Sequence, residues 1–67
     1  MRKIVFLSYM KENDRLTIEY LQRLAGKKNE SDVKQAIDEG LIVKCGKDTY
    51  GALLYRITSK GIKYRNS

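Results

Sequence analysis

Sixty-seven residues, 42% apolar and 33% charged, suit one small folded domain over residues 1–67 and are too apolar for a disordered chain. There is no histidine and a single cysteine, Cys45, so an internal disulfide is excluded and the commonest general acid–base side chain is missing. Fourteen Lys/Arg against eight Asp/Glu leave a net charge of +6, which attracts polyanions and serves equally to keep a small protein soluble.

Met1-Arg2-Lys3 followed by Ile4-Val5-Phe6-Leu7 imitates a signal peptide only faintly, because the apolar run ends quickly in Lys11-Glu12-Asn13-Asp14. No segment approaches the roughly 18–20 apolar residues that cross a bilayer, so a cytoplasmic protein without a membrane partner is expected. Residues 2–11 read as a helix, since Ile4, Val5, Phe6, Leu7, Tyr9 and Met10 do not alternate, although Ile4-Val5-Phe6 also suits a strand. Phe6, Leu7 and Met10 form its inward stripe. Ile4, Val5 and Tyr9 are apolar surface in excess, covered either by the C-terminal helix or by a second copy in a homodimer.

Asn13-Asp14 signals a turn, and Thr17 is placed to cap a helix running through Ala25. On that helix Ile18, Leu21 and Ala25 share a face with Leu24 on its flank, while Glu19 and Arg23 lie four apart on the outside. Gly26 ends it. Lys27-Lys28-Asn29 turns into the next helix, with Asn29 as the expected N-cap and Glu30 and Asp32 in the first turn. This helix runs to about Glu39 and stops at Gly40. Val33, Ala36 and Ile37 face inward, with Ser31, Lys34, Gln35 and Asp38 opposite.

Residues 41–45 and 51–57 read as an antiparallel hairpin, in which Leu53, Tyr55 and Ile57 alternate as a half-buried strand does. Gly46-Lys47-Asp48-Thr49-Tyr50 forms a polar, flexible connection. Thr58 caps a last helix that carries Ile62 and ends near Arg65. Tyr55 and Tyr64 are expected to pack rather than to bind. Charge is uneven: residues 1–40 carry eight Lys/Arg against seven Asp/Glu, whereas 41–67 carry six against Asp48 alone, +1 and +5 respectively.

In its order of elements, and through Gly40-Leu41-Ile42 and Tyr55-Arg56-Ile57-Thr58-Ser59-Lys60-Gly61, the chain resembles the winged helix-turn-helix superfamily. The resemblance implies an α+β fold: a three-helix bundle with a helix-turn-helix, a two-stranded β-hairpin wing and a C-terminal helix. It also implies a transcription regulator or architectural factor binding double-stranded DNA, with the helix after Asn29 in the major groove. Ser31, Lys34 and Gln35 would then meet base edges. Lys27, Lys28, Lys44, Lys47, Arg56 and Lys60 would meet phosphates, and Thr49 and Tyr50 at the wing would bond phosphate or enter the minor groove.

One departure motivates an alternative from another class. The helix after Asn29 is about a turn shorter than a typical recognition helix and is flanked or lined by Glu30, Asp32, Asp38 and Glu39. Together with the apolar excess at Ile4, Val5 and Tyr9, this fits a winged-helix protein-interaction module without a DNA role, of the kind a virus or mobile element encodes.

Catalysis finds no support. Cys45 lacks a histidine partner, and Asp38 and Glu39, being adjacent, diverge by about 100° around a helix. No zinc-ligand spacing and no Gly-rich phosphate loop is present. No catalytic residue, metal, cofactor or small-molecule substrate is therefore expected.

Overall fold

The computed structural model describes residues 4–66, so positions 1–3 and 67 of the domain, including two of the expected first helix, lie outside the described residues. Val5–Tyr9 forms a 3-10 helix rather than an α-helix. Phe6 and Leu7 are its buried residues, and the extended residues that flank it, Ile4 and Met10, are buried with them. The Met10 N–H donates to the Leu7 carbonyl at 3.2 Å. Ile4 thus belongs to the core and is not available for a dimer contact, the first of the two alternatives for the apolar excess. Its N–H donates to the Tyr64 hydroxyl at 2.9 Å, and the Arg65 guanidinium donates to the Met10 carbonyl. Val5 and Tyr9 remain exposed, at 55% and 62%.

A short strand, β1 (Leu16–Thr17), follows and pairs antiparallel with β3 (Leu53–Ile57), Leu16 opposite Tyr55 and Thr17 opposite Leu54. The sheet therefore has three strands instead of the expected two. Thr17 ends β1 and caps α1 (Ile18–Ala25), its Oγ1 accepting from the Tyr20 N–H at 3.2 Å. Leu21 is buried, with Ile18, Leu24 and Ala25 packed around it. Gly26 closes α1 at φ 90°, a backbone conformation that favours glycine. A 3-10 turn, Lys27–Asn29, leads on to α2 (Ser31–Asp38).

Asn29 does not cap α2. Its side-chain amide donates to the Ala25 carbonyl at 3.3 Å, satisfying the end of the preceding helix, and Glu30 occupies the N-cap position with helical backbone and no side-chain cap bond. The exit from α2 is better secured. The Gly40 N–H donates to the Ile37 carbonyl and the Leu41 N–H to the Ala36 carbonyl, at 3.1 and 2.8 Å. That double closure, with Gly40 at φ 73°, brings buried Ala36 and Leu41 into one helix stop.

The second hairpin strand, β2 (Ile42–Lys47), pairs antiparallel with β3, giving the order β1-β3-β2. Lys44 lies opposite Tyr55 and Gly46 opposite Leu54, so Cys45 is the extra residue of a β-bulge and is half-exposed. The reversal falls at residues 48–52, two later than expected, and is a hydrogen-bonded turn. Asp48 Oδ1 accepts from the Tyr50 and Ala52 N–H groups, each at 2.9 Å. The Asp48 N–H donates to the Ala52 carbonyl and the Gly51 N–H to the Asp48 carbonyl.

Phe6, Leu7, Leu21, Val33, Ala36, Ile42, Tyr55 and Ile57 form the core between the helices and one face of the sheet. Among the described residues, no helix is long and apolar enough to cross a membrane. The last helix, α3 (Ser59–Asn66), starts at Thr58, whose Oγ1 accepts from the Gly61 N–H at 3.0 Å. The same hydroxyl donates to the Gly40 and Leu41 carbonyls at 2.6 and 3.0 Å. Thr58 therefore joins the end of α2, the start of β2 and the start of α3. Thr58→Val, which keeps the shape and removes the hydroxyl, is expected to cost about 1–2 kcal/mol, a fall in Tm of about 4–16 °C by circular dichroism. An unchanged Tm would show that these bonds contribute nothing net.

Candidate nucleic-acid interface

The geometry of α2 follows from its three-to-four-residue apolar spacing. Val33 and Ala36 are buried and Ile37 half-buried, which leaves Ser31, Lys34, Gln35 and Asp38 exposed on the other side. All three expected base-contacting residues are therefore on one solvent-facing surface. Of the four acids that counted against this helix, Asp32 turns inward and is buried at 3% exposure. Asp38, Glu30 and Glu39 remain exposed, so the surface keeps a mixed charge.

The register of the hairpin sorts the wing cations. Residues directly opposite one another in an antiparallel pair share a face of the sheet. Ile42 opposite Ile57 marks the core face, on which α1 and α2 pack. Lys44 opposite Tyr55 and Lys47 opposite Leu53 lie on that same side, beyond the edge of the core, and both are exposed. Arg56 lies opposite Val43 on the other face, where Thr17 and Leu54 also sit. The bulge is what keeps both lysines together: three residues apart in a regular strand, they would point to opposite faces. The expected phosphate-contacting set is thus divided. Lys44 and Lys47 share the helix-bearing side, and Arg56 faces away from it.

The remaining positions are at the periphery. Lys28 is exposed on the turn before α2, and Lys60 is exposed in the first turn of α3. Lys27 borders an open groove of about 470 Å³ between α1 and the entry to α2, whose other walls are Glu19, Gln22, Arg23, Gly26 and Glu30. Its mixture of two acids and two bases selects no single charge of ligand. Thr49 and Tyr50 are exposed at the tip of the hairpin, Tyr50 at 94%. Asp48 builds that tip, although in the sequence it stood out only as the lone acid of the C-terminal third. The usable signal was its position two residues ahead of Tyr50 and three ahead of Gly51, where an Asx side chain closes a turn.

Among the described residues, no group of three His, Cys, Asp or Glu side chains is placed to hold a metal ion. The arrangement supplies the ammonium groups of Lys34, Lys44 and Lys47 and the side-chain amide of Gln35, all exposed. No protein-family model matches the chain, and no curated protein or solved structure matches it significantly.

Proposed function

We propose that the chain is a winged-helix DNA-binding protein, a transcription regulator or architectural factor that engages duplex DNA through α2 and the β2–β3 wing. The observation that carries this is the placement of Lys44 and Lys47 on the side of the sheet that bears α2, whose Ser31, Lys34 and Gln35 are solvent-exposed. The succession β1, α1, α2, β2, β3, α3 and the strand order β1-β3-β2 are compatible with a winged helix. Lys34 and Gln35 carry donors suited to guanine and adenine edges, and the lysines position the helix on the backbone.

Titration of a labelled duplex across salt tests the proposal. With about five neutralised phosphates, log Kobs should fall against log salt with a slope near −4 to −5. In the same assay Gln35→Ala should change the ranking of duplex sequences while leaving that slope intact. Affinity indifferent to salt would rule the proposal out.

A second reading, a protein-interaction module or homodimer, draws on Val5 and Tyr9, which stand exposed on the 3-10 helix. Gel filtration with and without duplex separates the two. A shift to larger size without DNA, lost on Val5→Asp, favours the second; a shift only with DNA favours the first.

A further inference from the structure

We infer that Tyr50 is a base-stacking residue and that the chain therefore prefers DNA with an unpaired base beside a duplex over fully paired DNA. The inference rests on the DNA-binding reading above and deepens it. Single exposed apolar residues are ordinary on protein surfaces. Tyr50 differs in degree and in setting. At 94% exposure its ring touches almost nothing in its own molecule, whereas Tyr9 and Tyr20, at 62% and 49%, lie partly against theirs.

The setting is a pre-ordered turn. Asp48 binds the Tyr50 and Ala52 N–H groups through Oδ1, and its carbonyl binds the Gly51 N–H. Fixing the backbone in advance lowers the ordering cost of any contact that Tyr50 makes. The same bonds shape what the contact can be. Three consecutive backbone donors at the tip are already used, and the carboxylate that uses two of them is negative. A phosphate is therefore poorly served at the tip itself. The cations lie behind it, Lys47 immediately before the turn and Lys44 three residues earlier, on one face of the hairpin. An aromatic ring ahead of a short cationic track is the division of labour that holds single strands, with charge following the backbone and the ring taking a base face.

Base pairing decides which DNA provides that face. In an intact duplex both faces of a base are stacked, and a ring enters only by unstacking a step at a cost of a few kcal/mol. A base that is unpaired at a junction presents its face without that cost.

The experiment uses the full chain and two labelled DNAs of one sequence: a blunt duplex, and the same duplex with a short overhang bearing a fluorescent base analogue at the junction. The wild type should bind the overhang DNA about 5- to 150-fold more tightly, the range of one base–aromatic stack, and quench the analogue. Tyr50→Ala should bring the overhang affinity down to that of the blunt duplex, and Tyr50→Phe should keep both the preference and the quenching. Folding is not at issue, because the ring is almost wholly outside the molecule. Equal wild-type affinity for the two DNAs would overturn the stacking inference while leaving duplex binding in place. So would Tyr50→Phe behaving like Tyr50→Ala, since the hydroxyl and not the ring would then be the contact. Binding to neither DNA would overturn the DNA-binding proposal itself, and the inference with it.

Discussion

Gly61→Ala should destabilise the protein by at least about 3 kcal/mol, seen as a fall in Tm of about 12–24 °C. A Cβ at this position would stand 2.7 Å from Ile57 Cγ1 and closer still to the Leu41 carbonyl oxygen. Neither neighbour is free to retreat. Ile57 is buried in the core, and the Leu41 carbonyl accepts from both the Thr58 N–H and the Thr58 hydroxyl. Relief would require α3 to lift from the base of the hairpin, loosening Tyr64 and Arg65 from the 3-10 helix as it went. The sign of the effect is diagnostic. In a helix without such a contact, alanine in place of glycine stabilises by about 1 kcal/mol. A domain of this length has roughly 3–10 kcal/mol in total, so the variant should sit near its unfolding threshold at room temperature. Lys63→Ala, at an exposed position of the same helix, serves as the control and should stay within about 0.5 kcal/mol of wild type. A Gly61→Ala protein that melts with or above the wild type would show that α3 does not pack against Leu41 as described.

The second large effect concerns binding. Replacing Lys44 and Lys47 together by alanine should weaken duplex binding roughly 10- to 100-fold at 0.1 M salt and flatten the log–log salt slope by about 2, because each phosphate contact contributes nearly one released counterion. All duplex sequences should lose affinity alike, since contacts of this kind position without reading bases. Arg56→Ala supplies the contrast, as it removes an equal charge from the opposite face of the same hairpin. It should change the slope by well under one unit. Equal losses from Arg56 and from the lysines would mean that DNA does not approach from the side bearing α2. The surface described for recognition would then be wrong even if the protein binds DNA.

How far such features could be foreseen depended on whether local or distant chain determined them. The caps are local, and Thr17, Gly26, Gly40 and Thr58 each stand where their residue type led one to expect. The inward faces of α1 and α2 are equally local, because a 3.6-residue period sorts Leu21, Val33 and Ala36 from Gln35 and Lys34. By contrast, Leu16–Thr17 is a strand only because Tyr55 and Leu54 lie beside it, and two residues carry no period of their own. Asn29 and Glu30 are both plausible helix starts in isolation, and the choice went to the arrangement that lets Asn29 reach Ala25. The 3-10 helix had no readable sign: only five residues long, with extended backbone at Ile4 and Met10 on either side, it is too short to show a period. For the candidate interface, exposure was legible and facing was not. Whether Lys44, Lys47 and Arg56 point one way depends on strand register and on one bulged residue, and neither can be read before the partners are known.

The bulge at Cys45 bears on more than ligand contacts. In the order β1-β3-β2 the outer border of β2 has no neighbouring strand among the described residues, and a straight, uncharged border of that kind is a template on which other molecules can add strand by strand. The kink interrupts its repeat midway, and two ammonium groups make like-to-like docking of two such borders repulsive. Colloidal stability and ligand attraction thus draw on the same pair of lysines. A redesigned hairpin with Cys45 removed would restore a regular ladder, keep both lysines on one face, and leave a border more prone to fibrillar association.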